Sequence, residues 1–177
     1  MRRGVSPDHI HREIRAYLQH ASDQRLIQQS YDFILQNLKA KTKKDRNGQE
    51  NIAIALGDRR NFHEDWRLPH FTRHDGARFD VALTLRREGN STEILAYSFP
   101  LWFDGHPDLK RVRFDLNEPG HHNEGLGLRS HVHLNLDDEG FSVPTPIMQP
   151  LEVLDVLLFG LLPGSGKVRH TNPAQDR

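Results

Sequence analysis

Up to about residue 50 the apolar positions recur with a helical period. Ser6-Pro7-Asp8 reads as a helix start, with Ser6 as N-cap, Pro7 at the first helical position and Asp8 favourable to the helix dipole. Ile10, Ile14, Tyr17 and Leu18 then fall on one face, and Ala21-Ser22-Asp23 breaks the run. Ile27, Tyr31, Ile34 and Leu38 recur at four, three and four residues, which predicts a second helix backed by Leu26, Phe33 and Leu35. Its end is basic: Lys39, Lys41, Lys43, Lys44 and Arg46 precede Asn47-Gly48. Cations suit a helix C-terminus; contact with a phosphate backbone is the alternative.

From Asn51 the period becomes two. Ile52, Ile54 and Leu56 predict a strand, and Phe79, Val81, Leu83 and Leu85 alternate with polar residues as another. Between them, Asp58 to Gly76 has no period and reads as a loop. Glu88 to Ser91 is a turn before a longer strand, Thr92 to Phe103, which Pro100 should bend or place at an edge. After a turn at Asp104 to Asp108, Val112, Phe114 and Leu116 alternate with Arg111, Arg113 and Asp115. A Pro119–Gly127 loop and a strand from His131 to Leu136 follow. Pro144, Pro146 and Pro150 lead to a last helix, Leu151 to Leu161. The expectation is an α+β protein: a helical extension over 1–50, then a core over 51–162. That core is an antiparallel meander of about four to five strands with the last helix packed on it. Residues 163–177, rich in Gly, Ser, Pro and charge, read as a disordered tail.

Composition adds exclusions. A chain of 177 residues fits one domain with an appendage. Lys+Arg and Asp+Glu balance at 24 each, so net charge selects neither nucleic acid nor membrane. With no cysteine, disulfides, thiolate metal sites and thiol nucleophiles are excluded. No apolar run approaches a membrane span and the first residues do not resemble a signal peptide, so a soluble, cytoplasmic protein is expected.

Chemistry concentrates in Arg111 to His133, which holds four of the twelve histidines: His121, His122, His131 and His133. Period two puts His131 and His133 on one face of their strand, with Val132, Leu134 and Leu136 on the other. If the strand before it is a neighbour, Arg111, Arg113 and Asp115 share that polar face, and the His121-His122 loop lies between. Two chemistries fit. Neutral histidines can take and give a proton while arginines hold a phosphate, as metal-free RNA cleavage requires. Alternatively, His131 and His133 ligate zinc or iron with a third donor from His121, His122 or Asp115. A third possibility is that the histidines only hydrogen-bond within the fold. Gly125-x5-His131-x-His133 echoes a first cupin motif, but the later Gly and His motif is missing. Gly164-Ser165-Gly166-Lys167 lacks the first glycine of a P-loop. His9 and His11, two apart on the first helix, read as solvated.

With these residues in view, the segment from about Asp80 to Leu161 resembles the TumE family of toxin–antitoxin proteins. The carriers are Arg113-Phe114-Asp115 with Asn117, Pro119-Gly120-His121-His122, His131-Val132-His133 and Pro150-Leu151-Glu152-Val153-Leu154. Leu116 and Gly120 are insertions relative to the family pattern, and the helices before Asn51 lie outside it. The resemblance implies an RNA-cleaving toxin restrained by a cognate antitoxin protein; joined to the histidine and arginine chemistry above, the leading expectation is a metal-independent ribonuclease. In that reading His131 and His133 are acid and base, His121 or His122 assists and Asp115 orients a histidine. Arg111, Arg113 and Arg129, with Asn117, hold the substrate. The N-terminal helices would be a dimerisation hairpin, a cover over one sheet face or a partner-binding arm.

Overall fold

A computed structural model describes residues 2–3, 5–45, 47–57, 67–104, 106, 109–122, 124–134 and 142–161. Helix α1 spans Pro7–Asp23, and Ser6 caps it by accepting from the His9 backbone N–H at 3.2 Å. Ile10, Ile14, Leu18 and Ala21 repeat at three to four residues and are all buried. Helix α2 is short, Tyr31–Asn37, with Ser30 accepting from the Phe33 N–H.

Here the expected second helix needs correction. Leu38–Lys44 is not helical; it is a strand paired antiparallel with Glu50–Leu56, from Leu38 opposite Leu56 to Lys44 opposite Glu50. Ile27, Ile34 and Leu38 are indeed buried, at 2%, 0% and 0% exposure. Tyr31, the remaining residue of that stripe, is 41% exposed, so the four-three-four spacing fixes neither the backbone state nor every inward residue. Past Leu38 the sequence is Lys-Ala-Lys-Thr-Lys-Lys, which offers no apolar face to a helix, and an adjacent strand with open hydrogen-bonding groups wins. At the switch the Leu38 carbonyl is held at 3.1 Å by both Arg15 and His11 Nε2. His11, expected in solvent, is buried, and desolvation lowers its pKa.

The strands in chain order are β1 Arg2–Arg3, β2 Leu38–Lys44, β3 Glu50–Leu56, β4 Phe71–Thr72, β5 Arg78–Phe79, β6 Ala82–Glu88, β7 Ser91–Trp102, β8 Arg111–Leu116, β9 Ser130–Leu134 and β10 Ser142–Pro144. The α+β class and antiparallel meander hold, but the described residues form one ten-stranded sheet, not four to five strands. Its order is β10-β9-β8-β7-β6-β3-β2, with the two-residue strands β1 and β5 paired to β7 and β4 paired to β5. Pro100 sits inside β7, opposite Arg113, with no edge there. Its carbonyl accepts from Asp80 N at 3.2 Å, so its missing N–H falls on the same side, at the break between β5 and β6.

One sheet face is apolar: Leu83, Tyr97, Phe99, Leu101, Val112, Phe114 and Leu116 are buried beneath α1 and the last helix, α3 (Pro150–Asp155), which runs on as a π-helical turn, Val156–Gly160. Of the roles open to the N-terminal helices, covering a sheet face is the one α1 performs. Tyr17 donates to Asp155, tying α1 to α3. Buried Arg73 donates to the Leu157 and Leu161 carbonyls at 2.6 Å each, satisfying the helix end. No helix of the described residues is long and apolar enough to cross a membrane. The tail at 163–177 lies outside the described residues.

Candidate active site

The expected neighbours are neighbours. β8 and β9 pair antiparallel with Arg113 opposite His133 and Asp115 opposite His131, while Val112 and Phe114 face Leu134 and Val132 on the apolar side. Directly opposite residues share a face, so four polar side chains converge by register alone. Asp115 and His131 are each 3% exposed, and the His133 side chain is 15% exposed. His131 Nε2 lies 2.8 Å from His133 Nε2, and His133 Nε2 lies 3.5 Å from Asp115 Oδ2. Arg113 Nε donates to the same carboxylate oxygen at 2.6 Å.

Without a cation, one of the two facing nitrogens must carry the shared hydrogen. His133 Nδ1 is 3.1 Å from Ser142 Oγ, whereas His131 Nδ1 is buried with no hydrogen-bond partner. Buried N–H donors are left without a partner more rarely than buried acceptors. The tautomers that follow are His131 donating from Nε2, and His133 accepting at Nε2 while its Nδ1–H donates to Ser142. Burial, then the Arg113 guanidinium, drives the His133 pKa down to about 4 against the opposing pull of Asp115. His133 is therefore neutral at pH 7. A cation at the point where the three side chains meet would satisfy them differently. One donor atom each from Asp115, His131 and His133 lies within 4.8 Å of the others, and two imidazoles with one carboxylate suit a divalent metal with open positions.

The other expected site residues are placed elsewhere. His121 and His122 are exposed on the loop after β8, their ring centroids 4.1 Å apart, and neither belongs to the three-donor group. His121 instead borders a cavity of about 820 Å³ with Lys43, Arg86 and Glu118. The third donor beside the His131–His133 pair is Asp115. Asn117 is spent on the fold: its side chain donates to the Leu128 carbonyl and its backbone N–H to Arg129 O. Arg129 is partly buried with its Nε unpartnered, and Arg111 is half-buried beside Trp102 in register. Ser142 carries no sequence signal, since a proline-rich approach masks its strand. Ser98 could have been found by parity, because it alternates with Tyr97 and Phe99 and stands opposite Asp115.

Compared with protein-family models, with curated proteins and with solved structures, the chain matches none.

Proposed function

We propose that the protein cleaves RNA, as the toxin of a toxin–antitoxin pair, with Asp115, His131 and His133 as its reacting centre. The observation that carries this reading is the convergence of the three side chains on one patch, flanked by Arg113 and Arg111. In the metal-free mode His133, the least buried member and neutral at pH 7, exchanges its bond to His131 for the ribose 2′-OH and takes that proton as the 2′-oxygen attacks phosphorus. The bond from phosphorus to the 5′-oxygen breaks, and the protonated His133 returns its proton to that leaving oxygen. Arg113, and Arg111 at its rim, stabilise charge on the phosphate. His131 and Asp115 then hold the ring in place. His121 and His122, on the exposed loop, serve at most the bound strand. Induced expression should arrest bacterial growth and a cognate antitoxin protein should relieve it; unimpaired growth at full expression would sink the toxin reading.

A second reading is favoured by a specific feature: one donor atom each from Asp115, His131 and His133 lies within 4.8 Å of the others, with the two Nε2 atoms 2.8 Å apart. In that reading the triad holds zinc or iron, and the metal supplies Lewis-acid or water-activating chemistry. Elemental analysis of protein purified without added metal separates the two modes. One equivalent of metal, lost in the His131→Ala variant, selects the second; metal-free protein that cleaves RNA in chelator selects the first.

A further inference from the structure

The face that carries the triad continues past it as a floor of small side chains. One row across the sheet reads His131, Asp115, Ser98, Ala82, Ala55 and Lys39. The neighbouring row reads Ala96, Thr84, Ala53 and Lys41, and β2 adds Lys43 opposite Asn51. Between Asp115 and the lysine edge, these two rows therefore put only Ala, Ser and Thr on this face. Four strand steps of about 4.8 Å separate β8 from β2, so the two charged banks stand about 19 Å apart. Two cavities open here. One of about 90 Å³ lies over Ala53, Ala82, Ala96 and Ser98 and touches Lys43. The other, of about 820 Å³, shares Lys43, Ala53 and Thr84 with it and extends to Arg86 and the His121 loop.

We propose that this trough seats a single-stranded stretch of RNA, running from Lys41 and Lys43 across the small-residue floor to Arg113 and the triad. The inference rests on the ribonuclease reading and names the form of its substrate. Cations line both banks, which a polyanion complements. A duplex, about as wide as the trough, would rest on the banks and stay off the floor. The competing role for the lysines is to guard an exposed edge strand against pairing with another chain. Glutamate guards an edge equally well but repels phosphate, so charge reversal separates the two.

The test is fluorescence anisotropy of the full chain with a labelled unstructured RNA oligomer over a range of salt, with cleavage followed in parallel. Lys41→Glu/Lys43→Glu should weaken binding at least about tenfold and flatten the salt slope by about 1.4, since each lost single-strand phosphate contact removes about 0.7. Ala53→Leu, which fills the floor without changing charge, should weaken binding with the salt slope kept. A thermal melt of each variant establishes that it is folded. Unchanged affinity and slope in the lysine variant, or equal affinity for a duplex of the same sequence, would overturn the trough. RNA cleaved at the parental rate by a lysine variant of unchanged affinity removes the trough and leaves the ribonuclease reading. RNA bound through the lysines but never cleaved does the reverse.

Discussion

The two faces of this sheet are built from the same strands and do opposite work. On the helix-covered face Phe99, Leu101 and Leu116 share one buried cluster with Ile14 and Leu18 of α1, each at 2% exposure or less. Burying each such side chain is worth about 1.5–3 kcal/mol. On the other face the same strands place Ser98, Asp115 and Arg113, and β9 adds His131 and His133. That face buries a carboxylate and two imidazoles, which costs stability unless each finds a partner. The difference teaches how alternation divides labour: even positions of β8 and β9 face the helix-covered core, while odd positions gather Arg113, Asp115, His131 and His133 on the other face.

The sharpest way to break the comparison is to cut each face in turn. Phe99→Ala should cost about 3–5 kcal/mol, read as a lowered urea midpoint, and any loss of RNA cleavage should track the unfolded fraction. Asp115→Ala should cost less, about 1–3 kcal/mol, because it strands Arg113 and changes the setting of His133. Its cleavage loss should persist where the protein is fully folded. A stability loss for Asp115→Ala as large as for Phe99→Ala would erase the distinction.

Acid sharpens it further. The His133 pKa lies near 4 when folded and 6.5 when unfolded. The unfolded chain therefore binds more protons between these values. The contribution is complete above pH 6.5 and is lost as pH falls toward 4, at no more than about 1.4 kcal/mol per pH unit. Urea midpoints between pH 7 and 4 should show this slope in the parent and less of it in His133→Gln. The smallest effect lies far from the site: Ser6→Ala removes the α1 cap and should cost about 1 kcal/mol with cleavage unchanged.

How much of this was legible in the sequence follows from the same division. Parity alone put His131, His133, Arg113 and Asp115 on one face, because β8 and β9 alternate cleanly and are joined by one loop. β2 was not legible, because Lys-Ala-Lys-Thr-Lys-Lys has no apolar period and the Ile27–Leu38 spacing imitates a helix. The sheet was underestimated because β1, β4, β5 and β10 have two or three residues each, too few to show a period. His121 and His122 misled for a related reason: in a loop no parity fixes which way a side chain turns. Asn117 looked like a substrate contact, yet its amide is used to close the loop on Leu128. The TumE resemblance rests on the motifs of β8, the loop, β9 and α3.

The most direct measurement is the RNA cleavage rate of the parent and of His133→Ala, each shown by its urea midpoint to be folded in the assay. The account predicts cleavage by the parent and a loss of about 100-fold or more in the variant. Equal rates in the two folded proteins would contradict it.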